Sequence, residues 1–332
     1  MVRLLALLHL SANFILASSD FDRFQFESEC NNDQFMDTLL LGGDTTSEWY
    51  SNSIELITSD TTCTPDMPQL PVKRSFASAV VLGAKIYYCG GYYYGSDFST
   101  CNSYLFNEKL WQEEESMIHA RSYADMCIIG ETIFVIGGYE DKVALASVES
   151  YTVEMGWKTE EYMVMPHGRY GHCSVTIRSQ IVIIGGYEES SAHNSSFSSS
   201  VMSFDTINIF EGWQDLSSLT QARRFHACLT GEFESQQGIF VTGGFNGNSI
   251  SSVEFYNWFS NTWQNLGNMQ VARWFHTLSF VNNMIFAAGG YNGYSLSSVE
   301  HFQENHWESS TDLDMARNGH SSVSVPGGLI SC

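Results

Sequence analysis

A pair of adjacent glycines recurs six times along the chain, and this repeat limits the possible folds more than any other feature. Each doublet follows a short apolar or β-branched run, as in IFVIGG and IVIIGG. Successive doublets begin 48, 47, 48, 58 and 46 residues apart. A period of this length is typical of a four-stranded unit that cannot bury both of its faces alone and must stack against neighbours. The doublets begin at Gly42, Gly90, Gly137, Gly185, Gly243 and Gly289.

Two further signals keep the same period. An arginine precedes the doublet by 16 residues in four of the five complete repeats and by 20 residues in the other. After each doublet, an alternating run such as SVEFY predicts a strand, and in five repeats a tryptophan follows that run. Each repeat therefore predicts four strands and a crossover to the next arginine. The arginines are Arg74, Arg121, Arg169, Arg223, Arg273 and Arg317.

Together these signals resemble the kelch repeat over about residues 35–332. The resemblance implies an all-β fold, a six-bladed kelch β-propeller closed by N- and C-terminal strands. The first doublet has no arginine 16 residues before it, and Arg317 has no doublet after it. The run GHSSVSV after Arg317 is therefore expected to complete the first sheet. A truncated seven-bladed propeller is the alternative, because the terminal LISC competes with LLLGG for the same position.

Residues that recur in every repeat are expected to hold the fold. Four repeats carry a glutamate in the strand after the doublet, and a buried guanidinium without partners would be costly, so we expect arginine–glutamate or arginine–carbonyl contacts. Four histidines follow the arginines by three residues and are expected to be packed and hydrogen-bonded. These residues are Glu55, Glu149, Glu254 and Glu300, and His172, His226, His276 and His320.

The N-terminus and the cysteines predict a secreted, glycosylated protein. Residues 1–19 have the short positive start, apolar stretch and small residues of a signal peptide, residues 20–34 form an extension, and residues 35–332 form the propeller. Asn194, in a Ser-rich insertion, is the predicted glycosylation site. Antiparallel pairing of neighbouring strands would bring Cys89 to Cys101, so we expect a disulfide there. Cys30–Cys63 is a further expected pair, whereas Cys127, Cys173 and Cys228 are expected to be buried and unpaired.

In kelch adaptors, which this chain resembles, the loop after the doublet and the crossover around the arginine form the binding face. The function implied is interaction with a protein, or with a glycan, through loops at the end of the propeller. Tyrosines and tryptophans flanked by carboxylates suit a basic or amphipathic partner. The candidate binding residues are Tyr93, Tyr94, Asp97, Tyr123, Glu140, Asp141, Tyr170, Glu188, Phe225, Asn246, Trp274, Phe275, Asn292 and Tyr294.

The net charge of −22 argues against a nucleic-acid partner and against docking on anionic lipid. No long apolar run predicts insertion into a membrane. Some kelch propellers are oxidases or mutarotases, but no copper-ligand set can be aligned and no nucleophile motif is present, so no catalytic, cofactor or metal residue is expected. A multivalent matrix component is a third possibility. No BTB segment is recognised, and the signal peptide argues against an intracellular adaptor.

Overall fold

The computed structural model describes residues 36–46, 48–189 and 195–332, and this part of the chain is nearly all β-strand. Its only helical segments are two single 3₁₀ turns, Glu161–Met163 and Ile209–Glu211. The predicted signal peptide and extension, Cys30 and Asn194 lie outside the described residues. Within the described ranges, no helix is long and apolar enough to cross a membrane.

The main strands of the described ranges form six four-stranded antiparallel sheets, which we number in the order of their doublets. Sheet 1 contains Ser321–Pro326, Met36–Leu41, Ile54–Ile57 and Thr62–Cys63; sheet 2 contains Ser75–Leu82, Lys85–Tyr93, Cys101–Leu105 and Leu110–Glu114; sheet 3 contains Asp125–Ile129, Thr132–Ile136, Val148–Thr152 and Gly156–Thr159. Sheet 4 contains Cys173–Ile177, Gln180–Ile184, Val201–Asp205 and Gln214–Leu216; sheet 5 contains Ala227–Phe233, Gln236–Thr242, Ser252–Asn257 and Thr262–Asn268; sheet 6 contains Thr277–Val281, Met284–Ala288, Val299–Gln303 and His306–Ser309.

Short strands lie beyond the doublets, at what we call the doublet end of the sheets. The opposite end, where the first and second strands of each sheet join, is the turn end. The short strands are Asp44–Thr45 with Arg317–Asn318, Ser96–Asp97 on sheet 2, Tyr139–Glu140 with Val143–Ala144, and Gly168–Tyr170 with Tyr187–Glu189 and Ser195–Phe197.

The glycine doublets allow neighbouring repeats to approach closely. Gly137 and Gly138 both have positive φ, which glycine adopts without the penalty of a Cβ. A Cβ on Gly137 would lie 2.5 Å from the carbonyl oxygen of Arg169, in the next repeat. The second strands are buried on both faces because each sheet packs between two others, which explains continuous apolar runs such as IVII in Gln180–Ile184.

Sheet 1 combines the two ends of the described chain. Ser321–Pro326 pairs antiparallel with Met36–Leu41, with Leu39 opposite Val323. The terminal LISC run does not occupy this sheet position: Ile330 packs against its core, and Cys332 joins Cys63 with an Sγ–Sγ distance of 2.03 Å. The expected Cys30–Cys63 pair is therefore wrong, because Cys332 occupies the partner position of Cys63.

Cys173 and Cys228, which the sequence predicts to be unpaired, are joined with an Sγ–Sγ distance of 2.05 Å. That prediction is wrong because the first strands of sheets 4 and 5 face each other, a contact between repeats that strand patterns do not reveal. Cys127 is buried and unpaired, as expected. Cys89 and Cys101, the predicted pair, lie opposite each other in sheet 2 with their Sγ atoms at bonding distance.

The first strands of the sheets surround a central channel, and a cyclic set of hydrogen bonds spans it near the doublet end. Six residues, one before each first strand or at its start, each donate a backbone N–H to the carbonyl of the preceding member, at 2.6–3.1 Å. All six have φ between +53° and +62°. We call this ring, with its aromatic side chains, the plug. Its members are Phe76, Tyr123, Gly171, Phe225, Phe275 and Gly319.

The plug closes one end of a cavity of about 1390 Å³. A Cβ on Gly171 would lie 2.4 Å from the ring of Phe225, and one on Gly319 would lie 2.3 Å from the ring of Phe76. The two glycines therefore leave the space that the four aromatic rings fill. From the plug, the cavity follows the first strands to turns such as Gly130-Glu131 at the turn end.

Candidate binding face

The repeated arginines are buried beneath the doublet end and form what we call the arginine layer. Four of them bind the glutamates that the sequence singled out, which confirms the expected contact. Glu149 shows why this position recurs: besides Arg121 it accepts the backbone N–H groups of Ile118 and His119, so it fixes the crossover to the sheet. The pairs are Arg121–Glu149 at 2.6 Å, Arg223–Glu254 at 2.6 Å, Arg273–Glu300 at 2.7 Å and Arg317–Glu55 at 3.0 Å.

Two repeats depart from this pattern. Arg169 pairs with Glu188, a candidate binding residue, which also accepts hydrogen bonds from Ser198 and Ser200. Glu188 is therefore half-buried and engaged within sheet 4 and its loop. Arg74 has no carboxylate within ion-pair distance among the described residues and instead donates to the Oδ1 of Asn102 at 2.6 Å.

The four repeated histidines are packed beneath the doublets. The ring of His276 packs against Gly243 of the preceding sheet, where an added Cβ would lie only 2.7 Å from the Cε1 of the histidine. Burial, followed by the nearby arginine of the same repeat, lowers the pKa of His172 and of His320 to about 3. The pKa of His226 and that of His276 are lowered by the same causes. The histidines are therefore neutral parts of the core at physiological pH.

Above the plug, aromatic side chains cover the doublet end and form what we call the aromatic face. One group of rings extends over sheets 3 to 6, with centroid distances of 4.9 Å for Tyr139–Tyr170 and 5.1 Å for Phe245–Trp274. A second group lies over sheets 1 and 2, where Tyr50 contacts Tyr93 at 5.1 Å. The members are Tyr50, Tyr92, Tyr93, Tyr94, Tyr139, Tyr170, Tyr187, Phe197, Phe245, Trp274, Tyr291 and Tyr294.

The candidate residues differ in exposure and in their place on the doublet end. The most exposed rings are Tyr94 at 75% and Tyr294 at 67%, both at the tips of loops after the doublets. A second group belongs to the plug, where the rings contact one another and line the cavity: Tyr123, Phe225 and Phe275. Asp141 and Asn292 are exposed, and the half-buried candidates are Tyr93, Asp97, Glu140, Tyr170, Glu188, Asn246 and Trp274.

Carboxylates lie together over sheets 2 and 3 and form what we call the acidic sector: Asp97, Glu140 and Asp141. Asp97 accepts from the Oγ of Ser122 at 2.6 Å and from the backbone N–H of Asp141 at 3.2 Å. Glu140 accepts the backbone N–H of Ala120 at 3.0 Å. The second carboxylate oxygen of Glu140 lies 3.3 Å from the Nδ1 of His119, so these bonds fix Asp97 and Glu140 at the rim.

Eight members of this surface were not among the candidate residues. Five of them directly follow a doublet: Tyr92, Tyr139, Tyr187, Phe245 and Tyr291. The other three occupy positions that the repeat does not mark. Arg224, half-buried, lies among the rings over sheets 4 and 5. Tyr50 completes the second aromatic group, and Phe197 lies in the strand after the Ser-rich insertion. The sequence RRFH could have pointed to Arg224, because the repeat explains only the first of its two arginines. Tyr50 and Phe197 lie in segments that follow no repeated pattern.

No group of three His, Cys, Asp or Glu side chains in the described part of the chain is arranged to hold a metal ion.

Comparison with known proteins identifies the family. The Attractin/LZTR1 beta-propeller model matches residues 39–299. The chain belongs to this family. It is also 27% identical to Kelch-like protein 23 of Mus musculus over 228 residues and 25% identical to the Homo sapiens protein of that name over 261 residues. Alpha-scruin of Limulus polyphemus is 27% identical over 165 residues, which is 47% of this chain and 18% of alpha-scruin.

The Kelch-like matches cover 67% and 76% of this chain but only 38% and 41% of those relatives. The chain thus corresponds to less than half the length of these relatives. The expected kelch-repeat propeller family is confirmed, since both comparisons point to propellers and kelch proteins.

Proposed function

We propose that this chain is a secreted six-bladed propeller that binds a protein partner through its aromatic face and performs no catalysis. The observation that carries the proposal is the pair of exposed rings, Tyr94 and Tyr294, standing above an otherwise half-buried aromatic surface. Large aromatic side chains at the centre of an interface supply most of the binding free energy. Kinship with kelch proteins supports a protein partner.

The pairing of Ser321–Pro326 with Met36–Leu41 supports six blades closed by the two ends of the chain. Such closure pairs the edge of Met36–Leu41 that would otherwise be open, and an open edge invites aggregation. The plug supports the same count, because its hydrogen bonds return to the starting residue after six steps.

The acidic sector favours a partner that presents a basic side chain to sheets 2 and 3. Backbone and hydroxyl donors hold Glu140 and Asp97 in place, and Glu140 also contacts the ring of His119, so their remaining lone pairs are oriented before a partner arrives. Preorganised carboxylates of this kind favour a lysine or arginine of the partner.

An affinity capture experiment from the protein's own tissue fluid tests the binding face. Three immobilised proteins are compared: the wild type, the double variant Tyr94→Ala/Tyr294→Ala, and the control Phe210→Ala. Phe210 is 96% exposed but lies at the turn end, in the segment joining the third and fourth strands of sheet 4. We expect proteins that the wild type and the control capture to be lost with the double variant. An unchanged set of captured proteins with the double variant would show that the face is wrongly assigned.

Secretion is supported by three cysteine pairs at disulfide bonding distance, since disulfides persist in oxidising compartments. We expect the protein expressed with its own N-terminus in eukaryotic cells to appear in the medium, to begin near residue 19, and to move faster on a gel after glycosidase treatment. The variant Asn194→Gln is the control and should show no such shift. Retention of the wild type in the cytosol would contradict secretion.

A further inference from the structure

Arg224 lies in a cage of aromatic rings on the aromatic face. Its guanidinium carbon is 4.6 Å from the ring centroid of Phe225 and 4.8 Å from that of Tyr187. Three further rings lie within 6 Å of it, so the guanidinium plane is held between sheets 4 and 5. These rings belong to Phe197 at 5.3 Å, Tyr170 at 5.8 Å and Phe245 at 5.8 Å.

The positive charge of Arg224 has no carboxylate partner among the described residues. Its Nη1 donates to the Oη of Tyr170 at 3.0 Å, and its Nε is buried without a hydrogen-bond partner. The preceding residue, Arg223, shows the contrast, because its Nη2 lies 2.6 Å from a carboxylate oxygen of Glu254. The buried Nε is out of reach of a ligand, but Nη2 makes no hydrogen bond with the described residues, so Arg224 keeps donors of its fork for a ligand.

The two acids that follow the cage residue Tyr187 in the chain are engaged elsewhere. Glu188 binds Arg169, and Glu189 accepts the backbone N–H of Ala144 at 3.1 Å. Tyr170 and Tyr187 add only hydroxyl groups to the cage. Arg74 and Arg178 also lack a carboxylate partner among the described residues, but Arg74 is buried in the arginine layer and Arg178 lies at the turn end. On a chain with a net charge of −22, a ligand would explain why Arg224 lacks one on the aromatic face.

We propose that Arg224 is the anchor for a carboxylate, the side chain of an aspartate or glutamate on a protein partner. The inference rests on the proposed function, since it assigns the chemistry of one part of the same face. The rings shield part of the guanidinium from water, which strengthens a charge-assisted contact with a carboxylate. A partner would therefore carry an acidic side chain for Arg224 and a basic one for the acidic sector over sheets 2 and 3.

The test uses two short peptides and the full chain. Acetyl-Gly-Glu-Gly-amide and the matched acetyl-Gly-Gln-Gly-amide are titrated while the indole N–H signal of Trp274 is followed by NMR. Trp274 contacts Phe225 and Phe245 of the cage, so its signal reports occupancy. The signal is assigned with the variant Trp274→Phe. We expect saturable binding of the Glu peptide and binding at least about tenfold weaker for the Gln peptide, the difference typical of a charge-assisted bond.

Variants of Arg224 separate the anchor from a purely packing role. Arg224→Gln should remove the preference for the Glu peptide, and Arg224→Lys should keep only part of it because an ammonium lacks the fork. Unchanged thermal denaturation of Arg224→Lys shows that the cage is intact. Equal binding of the two peptides, a preference that persists in Arg224→Gln, or equally strong shifts with inorganic phosphate would each overturn the proposal.

The capture experiment distinguishes this inference from the proposed function. Suppose that a partner is lost with Tyr94→Ala/Tyr294→Ala but is retained by Arg224→Gln. This result would support the binding face and overturn the role of Arg224. Partners retained by the Tyr94/Tyr294 double variant would instead overturn the binding face itself.

Discussion

Arg223 and Arg224 are adjacent in the chain, but they belong to two regions with different constraints. Arg223 is fully buried in the arginine layer and ion-paired with Glu254, and its counterparts recur in all six repeats. Arg224 belongs to the aromatic face and has no counterpart, since the equivalent positions hold Ser75, Ser122, Tyr170, Trp274 and Asn318. Repetition therefore identifies residues that hold the sheets together, and the residues that break the repeat lie on the surface that we propose as the binding face.

Deleting residues 317–332 should have the largest effect. The deletion removes Arg317 from the arginine layer and the first strand of sheet 1, and exposes the edge of Met36–Leu41. We expect aggregation or loss of secretion, measured by size-exclusion chromatography of the medium. The control deletes residues 327–332 and carries Cys63→Ser, which removes the disulfide but keeps the strand, and it should remain monomeric. A stable, monomeric 317–332 deletion would contradict closure by the C-terminal strand.

Within the arginine layer, Glu254→Gln should destabilise the fold by about 3–5 kcal/mol, because it leaves the buried charge of Arg223 without a carboxylate. The free energy of unfolding is measured by urea denaturation. Asn102→Ala is the matched comparison, because Asn102 takes the place of the glutamate in the repeat of Arg74. It should cost only about 1–3 kcal/mol, since it removes a neutral acceptor. Equal losses for the two variants would show that the ion pairs are no more important than the amide contact.

The period, the strand order and the role of the repeated arginines and glutamates could be read from the sequence, because each depends on contacts within one repeat. The pairing of Cys173 with Cys228 could not, because it depends on which faces of neighbouring sheets meet. The same limit applies to Phe225 and Phe275, which looked like loop residues but fill the channel. The sequence showed Arg224 only as an arginine outside the repeat pattern, since its cage is assembled from two neighbouring repeats.

The histidines beneath the doublets predict a loss of stability in acid. Their folded pKa values lie below the ordinary value of about 6.5, so the stability they contribute is complete above that pH and decreases as the pH falls toward about 3. Asp125 acts in the opposite sense, because burial raises its pKa to about 6 and protonation between about pH 6 and 4 favours the folded state. With four histidines against one aspartate, the net effect of these groups is destabilisation.

His172→Ala tests this assignment, because sheets 2 and 3 already carry alanine at that position, as Ala77 and Ala124. The variant should be less stable at pH 7, but its unfolding free energy should decrease less steeply between pH 6.5 and 4. The slopes should differ by up to about 1.4 kcal/mol per pH unit, the effect of one proton. The measurement is urea denaturation at a series of pH values, and parallel curves for the two proteins would refute the role of His172.

The smallest effect on stability is expected on the aromatic face. Tyr94→Ser and Tyr294→Ser change side chains that are mostly in solvent, so each should alter the free energy of unfolding by no more than about 0.5 kcal/mol. Thermal denaturation provides the measurement, with Tyr256→Ser, which removes a buried ring of sheet 5, as the destabilised reference. A large loss for either loop variant would place these rings among the residues that hold the fold.

The bond between Cys63 and Cys332 has a topological consequence. It joins two cysteines that are 269 residues apart in sequence, so the chain between them forms a covalent ring. A single protease cut inside that ring, for example in the loop at Tyr94 or the turn at Asn292, would create new ends without releasing a fragment. The cut molecule would remain one piece until a reductant broke the disulfide. Two fragments would therefore appear on a reducing gel, whereas a non-reducing gel would show a single band. The chain would for the same reason tolerate having its ends relocated to such a loop.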